Sequence, residues 1–473
     1  MSETKAPGLP PLNGELRKLS KIQALASFSP DALASIGYAD QEIYLGLVVA
    51  GSVGLALAFP IALSIIALLT LLALSYYQII QSYPSGGGSY TVARTTLGNV
   101  PGLMAAAGLI VNYLLNVAVS LTAGVDAIAS AFQELWPHRM IMSLLLLTAI
   151  TLLNLRGMRE TGIIMAVPVY LFLLAYLPML AYGGVRIFVG PPPLLNSTAL
   201  PGAKPVSRLL LLYAFSTGCT AMTGIEAISN GVPYFRSPQT KNAGHTMLIM
   251  AFLMSILFLG SVGLTQGLHV VAGPEETILS ALARSLLGNG PAYLLIQVST
   301  MIILAVGANT SFAGLPRLLS VMADDKFLPK SLTKLNSRGV YANGILLLAL
   351  SAGVLILLFS GNSHALIPLF AVGVFLAYTI SQSGMVLHWW RERGRGWALK
   401  AWLNGVGALA TGITFVIVSY TKFVGGAWIA LLLIPMLVWF FLQVNSRRNE
   451  LEPDCQNPSH PDSWTIPANP QRA

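Results

Sequence analysis

Apolar stretches of membrane-crossing length recur almost from end to end of this 473-residue chain, and that repetition constrains its fold more than any motif does. A helix of ~20 apolar residues spans a hydrocarbon core of ~30 Å, and in lipid every backbone polar group has to be satisfied within the segment. About twelve spans can be placed, at 31–51, 54–81, 102–132, 139–155, 160–185, 208–230, 245–268, 290–315, 340–360, 364–389, 399–420 and 424–443. Only 10% of the residues are charged and the mean hydropathy is +0.69, which leaves no room for a soluble domain. The expected fold class is therefore an all-α polytopic membrane protein. Residues 21–446 would form the membrane domain, residues 1–20 a polar N-terminal segment, and residues 447–473, rich in Pro, Asn and Ser, a disordered tail.

Lys and Arg placement orients the spans, because loops alternate sides and the cytoplasmic ones carry the positive excess. With an inside N-terminus, 21 of the 27 basic residues fall inside, among them Arg94, Arg156, Arg236, Lys334 and Arg395. Both termini are thus expected to be cytoplasmic, in a multi-pass protein of the cell membrane. The formal charge of +9 is accounted for by this asymmetry and by attraction to anionic lipid, so no nucleic-acid partner is needed. The N-terminus lacks the apolar core of a signal peptide. Cys219 in a span and Cys455 in the tail offer neither a disulfide framework nor metal-ligand spacing, and no cofactor is expected.

Two spans carry carboxylates beside small polar residues. Asp31 precedes Ser35-Ile36-Gly37-Tyr38 in the first, and Glu226 follows Ser216-Thr217-Gly218-Cys219-Thr220 and Thr223-Gly224 in the sixth. A carboxylate at membrane depth costs at least ~2.5–3.5 kcal/mol, so it faces a partner, a cavity or a transported ion. Small polar residues beside it suggest an interrupted helix whose freed backbone groups become ligands, and two such breaks in corresponding halves point to a substrate site. This layout fits a five-plus-five inverted repeat with helices one and six broken and two further helices outside it. The competing reading is that these small residues only allow close helix packing.

Four motifs, in order, resemble the amino acid-polyamine-organocation superfamily. They are Tyr83-Pro84-Ser85-Gly86-Gly87-Gly88-Ser89-Tyr90, Asn154-Leu155-Arg156-Gly157, Gly224-Ile225-Glu226, and the run from Arg317 through Met322-Ala323-Asp324-Asp325 to Leu328-Pro329. The likeness covers residues ~20–445 and implies a secondary transporter. Gly86 and Gly87 can also simply form a tight turn, since Gly accepts positive φ. Arg317 with Asp324 or Asp325 can cap a helix, although the resemblance implies a part in the inward gate. Longer segments, Ser29 to Tyr38, Ser120 to Ile128, Thr223 to Asn230 and Leu366 to Phe375, are similar to the KUP-related potassium importers of the KimA type. That likeness implies that Asp31, Tyr38, Ser120, Thr223 and Glu226 line the ion path or couple protons.

The departures bear on the substrate. The branch pattern has an aspartate at Asn112, a threonine at Asn116 and a tyrosine at Phe370, and it carries a sizeable cytosolic C-terminal domain where this chain has roughly thirty tail residues. Asn112, Asn116 and Ser120 recur at i, i+4 and i+8 and share one helix face. Potassium wants several oxygens in place of its hydration shell, which carbonyls and Thr, Ser and Tyr hydroxyls supply, with charge from Asp31. An α-amino acid needs donors for its carboxylate, and Ser35 before Gly37 departs from the glycine-rich break such substrates use.

The remaining polar residues rank lower. Asp40 and Glu42 read equally as a solvated vestibule, Asp126 as locally satisfied one turn from Thr122, and the histidines, His364 included, as loop or span-end residues rather than a relay. Trp389, Trp390 and Trp397 with neighbouring basic residues read as an interfacial belt. No phosphate loop or nucleophile elbow is present, so neither ATP-driven transport nor enzyme chemistry is expected. The favoured expectation is proton-coupled uptake of a small cation, potassium first. Asp31, Tyr38, Asn112, Asn116, Ser120, Thr223 and Phe370 would line the path, Glu226 and Asp31 would couple protons, and the only metal would be the transported ion. An amino acid permease is the runner-up and a non-transporting membrane sensor the alternative of another class. Membrane lipid and, as one option, a second copy of the chain complete the expected partners.

Overall fold

The computed structural model describes residues 18–86, 88–157, 162–189, 205–273 and 275–451. Ten helices among these are long and apolar enough to cross a membrane. The interrupted first span and the shorter ninth, Ala342–Leu358, complete the twelve.

In chain order the spans are Lys21–Phe28 with Pro30–Ala34 and Ile36–Val48; Gly51–Leu55 with Ala58–Ser82; Asn99–Ala131; Arg139–Leu155; Gly162–Val189; and Arg208–Gly218 with Cys219–Met222 and Glu226–Asn230. Then come Gln239–Gly267, Pro291–Asp324, Ala342–Leu358, Ser363–Glu392, Trp397–Thr421 and Trp428–Leu451. All twelve coincide with expected spans, but several ends move. The first begins ten residues earlier than hydropathy suggests, where Ser20 and Gln23 form a reciprocal capping box that satisfies the exposed N–H groups. The eighth is 34 residues long, about 51 Å at ~1.5 Å per residue, so its last turns project beyond a ~30 Å core. The twelfth continues through Leu451, past the expected start of the tail at 447, and residues 452–473 lie outside the described residues.

Two short helices have no counterpart among the expected spans. Ser89–Leu97 follows the glycine-rich turn, and Ile278–Leu287 lies between the seventh and eighth spans. The latter starts at a Thr277 N-cap, ends at Gly288 with φ +68°, and buries Ile278, Leu279, Leu282, Ala283 and Leu286 on one face.

The packing pattern carries the repeat that sequence identity hides. Span one packs on six, two on seven, three on eight and four on nine, and the contact of five with eight is mirrored by that of ten with three. Such pairings are what two five-helix units of opposite topology produce. Spans eleven and twelve lie outside this scheme, against spans ten and three. Without a hydrophobic drive between helices in lipid, close approach comes from small residues. Gly108 of span three meets the backbone of Gly373 in span ten, and Gly307 of span eight packs against Ala34 and Asp31 of span one.

Candidate substrate site in the broken spans

The sixth span is broken outright. After Gly218 the chain tightens into a 3₁₀ turn at Cys219–Met222, extends at Thr223 (φ −92°, ψ 165°), and turns through Gly224 at φ +73° before Glu226–Asn230 resumes. Gly224 is needed twice over. A Cβ there would lie 2.7 Å from the Ala32 nitrogen and 2.9 Å from the Asp31 carboxylate, in a backbone conformation that L-residues avoid. The first span is less interrupted than expected. It bends at Ser29 and Ser35, yet Leu33 N–H still donates to Ser29 O, Ser35 N–H to Asp31 O and Ala39 N–H to Ser35 O. Its contribution to the site is therefore side chains more than freed backbone.

The break's carbonyls find partners from other spans. Tyr378 of span ten donates to Met222 O at 2.9 Å, and Ser35 of span one donates to Ala221 O at 2.9 Å. Among the spans that meet here, these buried oxygens make no hydrogen bond: Asp31 Oδ1, the Tyr38 hydroxyl, Asn112 Oδ1, Thr223 Oγ1 and Thr300 Oγ1. Asp31 lies within reach of the Asn116 amide, and the Tyr38 hydroxyl is close enough to Asp31 and Thr223 to interact with both. Thr300 of span eight packs against Gly37 of span one. A buried polar atom left unpaired costs ~1–3 kcal/mol, so Asp31 Oδ1, Tyr38 and Thr223 together form a candidate ligand site.

The third-span face is split. Asn116 donates to Ser311 of span eight at 2.9 Å and accepts from Ser120 at 3.2 Å, so both residues serve a helix-to-helix clamp, whereas Asn112 Oδ1 is unspent. Phe370 is fully buried in span ten and brings no oxygen. Glu226 sits on the other side of the break, where it accepts from Tyr113 of span three at 3.0 Å and from Ser89 at 3.3 Å. Ser89 is itself 2.8 Å from the Tyr76 hydroxyl. Sequence reasoning missed Tyr113, Tyr76, Tyr378, Thr300 and Ser311. The one available signal was their occurrence as polar residues inside apolar spans.

At the membrane face shared by the described chain ends, the pairing differs from expectation. Asp325 accepts from Tyr90 at 2.7 Å and forms an ion pair with Arg94, both from the short helix after the glycine-rich turn. Arg317 is not its partner and lies over the Tyr234 ring, 4.9 Å from its centroid. Gly86, with φ +92°, packs on the Asn230 carbonyl at the end of span six; Gly87 lies outside the described residues.

On the opposite face, Glu42 is buried rather than solvated, with its carboxylate 2.6 Å from His364 Nδ1. Asp40 pairs with Ser261 and accepts from Gln41 N–H at 2.8 Å. Asp126 is held by Ser363 at 2.7 Å and faces Arg139 at 3.7 Å, while Thr122 instead bonds its own helix backbone. Asp126 is thus a mouth residue, and His364 a paired one.

Known proteins share this chain's sequence pattern. The profile of the family described as amino acid permease matches residues 25–442. The potassium transporter KimA of Bacillus subtilis (strain 168) is 40% identical over 433 residues, covering 91% of this chain and 71% of that protein. The low-affinity putrescine importer PlaP of Escherichia coli (strain K12) is 22% identical over 388 residues, covering 79% of this chain and 83% of that protein, and the O157:H7 protein matches equally. This chain belongs to the amino acid permease family, and within it to the branch that holds KimA.

Proposed function

We propose that this protein is a secondary active transporter that takes up a small cation, potassium by preference, driven by protons. One observation carries the reading: the unpaired buried groups that the structure brings together with Asp31, its own Oδ1, the Tyr38 hydroxyl and Thr223 Oγ1, are oxygens. Such a set suits a cation that exchanges its hydration shell for protein oxygens. It suits an α-amino acid poorly, because the turn at Gly224, where a substrate carboxylate would seek N–H groups, already faces the Asp31 carboxylate. The 40% identical relative is a potassium transporter, which supports the same choice.

Glu226 is the proton carrier in this reading. It is buried and, among the described residues, touches no cation and is hydrogen-bonded only to hydroxyls, Tyr113 and Ser89, which tolerate either protonation state because a hydroxyl donates or accepts. The Arg94–Asp325–Tyr90 cluster closes the face shared by the chain ends, which the positive bias of the loops assigns to the cytoplasm. Purified protein in liposomes with an imposed proton gradient tests the proposal, using rubidium as the potassium surrogate beside labelled amino acids and putrescine. Saturable rubidium uptake that collapses with the gradient is expected. Uptake of an amino acid or putrescine without rubidium would replace this reading with that of a permease, and no uptake of any with binding retained would favour a sensor.

A further inference from the structure

The start of the tenth span joins two others at the face opposite the described chain ends. Two consecutive residues do this: Ser363 reaches Asp126 of span three, and His364 reaches Glu42 of span one. The partners assign the imidazole's protons. Gln41 accepts the Ile278 N–H on its Oε1 at 2.7 Å, which fixes its amide so that the Nε2 end faces His364 Nε2 at 3.4 Å. An amide NH₂ only donates, so His364 Nε2 is the acceptor and carries no proton, while Nδ1–H donates to the Glu42 carboxylate. The two ring nitrogens therefore have different tasks. Nδ1 holds span one, and Nε2 holds the amide that in turn holds the first N–H of the short helix Ile278–Leu287.

We propose that His364 is a proton-operated latch on this mouth: a proton taken from water at Nε2 sets N–H against NH₂, expels the Gln41 amide and loosens the short helix. The site is open to the solution that would supply the proton. The His364 side chain is 33% exposed, whereas that of Glu42 is 6% exposed. The charges around the ring are placed to accept it. Glu42 of span one, Asp126 of span three and Arg139 of span four act on His364, and their formal sum of −1 becomes zero once the imidazole is charged. Lys422, between spans eleven and twelve, acts on Glu42 from beyond, with its ammonium 4.2 Å from the Tyr213 ring centroid, and the Tyr38 and Tyr213 side chains lie within electrostatic reach of the same carboxylate. Release of Ile278 leaves the short helix tethered to span three, where Thr277 N–H donates to Ser130 Oγ and Arg284 donates to Ser130 O. It would swing on that tether rather than detach.

That acid outside opens the mouth for loading rests on the proposed proton-coupled uptake; the latch itself does not. Hydrogen exchange of full-length protein in lipid nanodiscs, corrected for the chemical exchange rate, reads protection of residues 278–287 without reference to transport. Between about pH 9 and about pH 5.5, limits wide enough to take in an imidazole paired with a carboxylate, the ring passes from neutral to charged and protection should fall by about tenfold or more. His364→Gln should abolish that pH dependence, and Gln41→Met should leave protection low at both values. Equal protection at the two values in the native protein, an unchanged pH response in His364→Gln, or native protection in Gln41→Met would overturn the latch. Should His364→Gln fail to fold, the native and Gln41→Met measurements decide alone. Absence of rubidium uptake with the exchange response intact would remove the cation-uptake reading and leave the latch standing.

Discussion

Replacing Glu226 by glutamine separates proton carriage from anchoring, because the structure gives the two roles different energetic signatures. The glutamine carbonyl can still accept from Tyr113, now at 3.0 Å from Oε1. Its NH₂ would face Ser89, whose hydroxyl can turn to accept while donating to Tyr76 at 2.8 Å. Three hydrogen bonds are therefore kept and only their charge assistance is lost, a cost of about 1 kcal/mol. Glu226→Ala instead leaves the Tyr113 hydroxyl without an acceptor and opens a cavity in the packed centre, for about 2–5 kcal/mol. Thermal unfolding of both purified variants should show a small loss for the amide and a large one for alanine. In proteoliposomes the amide variant should still exchange rubidium across the membrane, yet fail to accumulate it above equilibrium when a proton gradient is imposed. Gradient-driven accumulation at the native level by well-inserted Glu226→Gln protein would refute the coupling role. Unfolding of Glu226→Gln comparable to that of Glu226→Ala would show that the carboxylate's charge is structural.

Three further outcomes follow from the same geometry. Gly224→Ala combines a left-handed backbone with a methyl group pressed on Asp31 and the Ala32 nitrogen, a cost of about 2–4 kcal/mol that should weaken rubidium affinity more than ten-fold, about 1.4 kcal/mol per decade; near-native affinity would mean that the break is not the site. Asn112→Asp places a second carboxylate where an unpaired oxygen now lies and should raise rubidium affinity, whereas loss of affinity with protein intact would place Asn112 off the ion path. Arg94→Gln should alter transport rate far more than Arg317→Gln, because Arg94 pairs with Asp325 while Arg317 only covers a tyrosine ring; equal effects on initial rates would dissociate the ion pair from gating.

The twelve spans, the carboxylates at Asp31 and Glu226, and the break at Thr223-Gly224 were legible in the chain itself. Each is a local property: a run of apolar side chains must enter lipid, an acid inside such a run must be compensated, and a glycine among small polar residues permits a turn. Partnership was not legible in the same way. Glu226 meets Tyr113 across 113 residues, and His364 meets Glu42 across 322, so neither contact leaves a mark on local composition. Motif proximity misdirected attention to Arg317 as the partner of Asp325, because a salt bridge depends on which face of a helix meets which neighbour, and here the neighbour is the helix carrying Arg94. The short helix Ile278–Leu287 escaped notice because ten residues are too few to cross a bilayer, and its value lies only in what it covers. Hydropathy, a contest between each segment and lipid, determined what enters the membrane; the register between distant helices, settled only when all of them pack, decided which oxygens around Asp31 stay unpaired and which are spent on holding the bundle together.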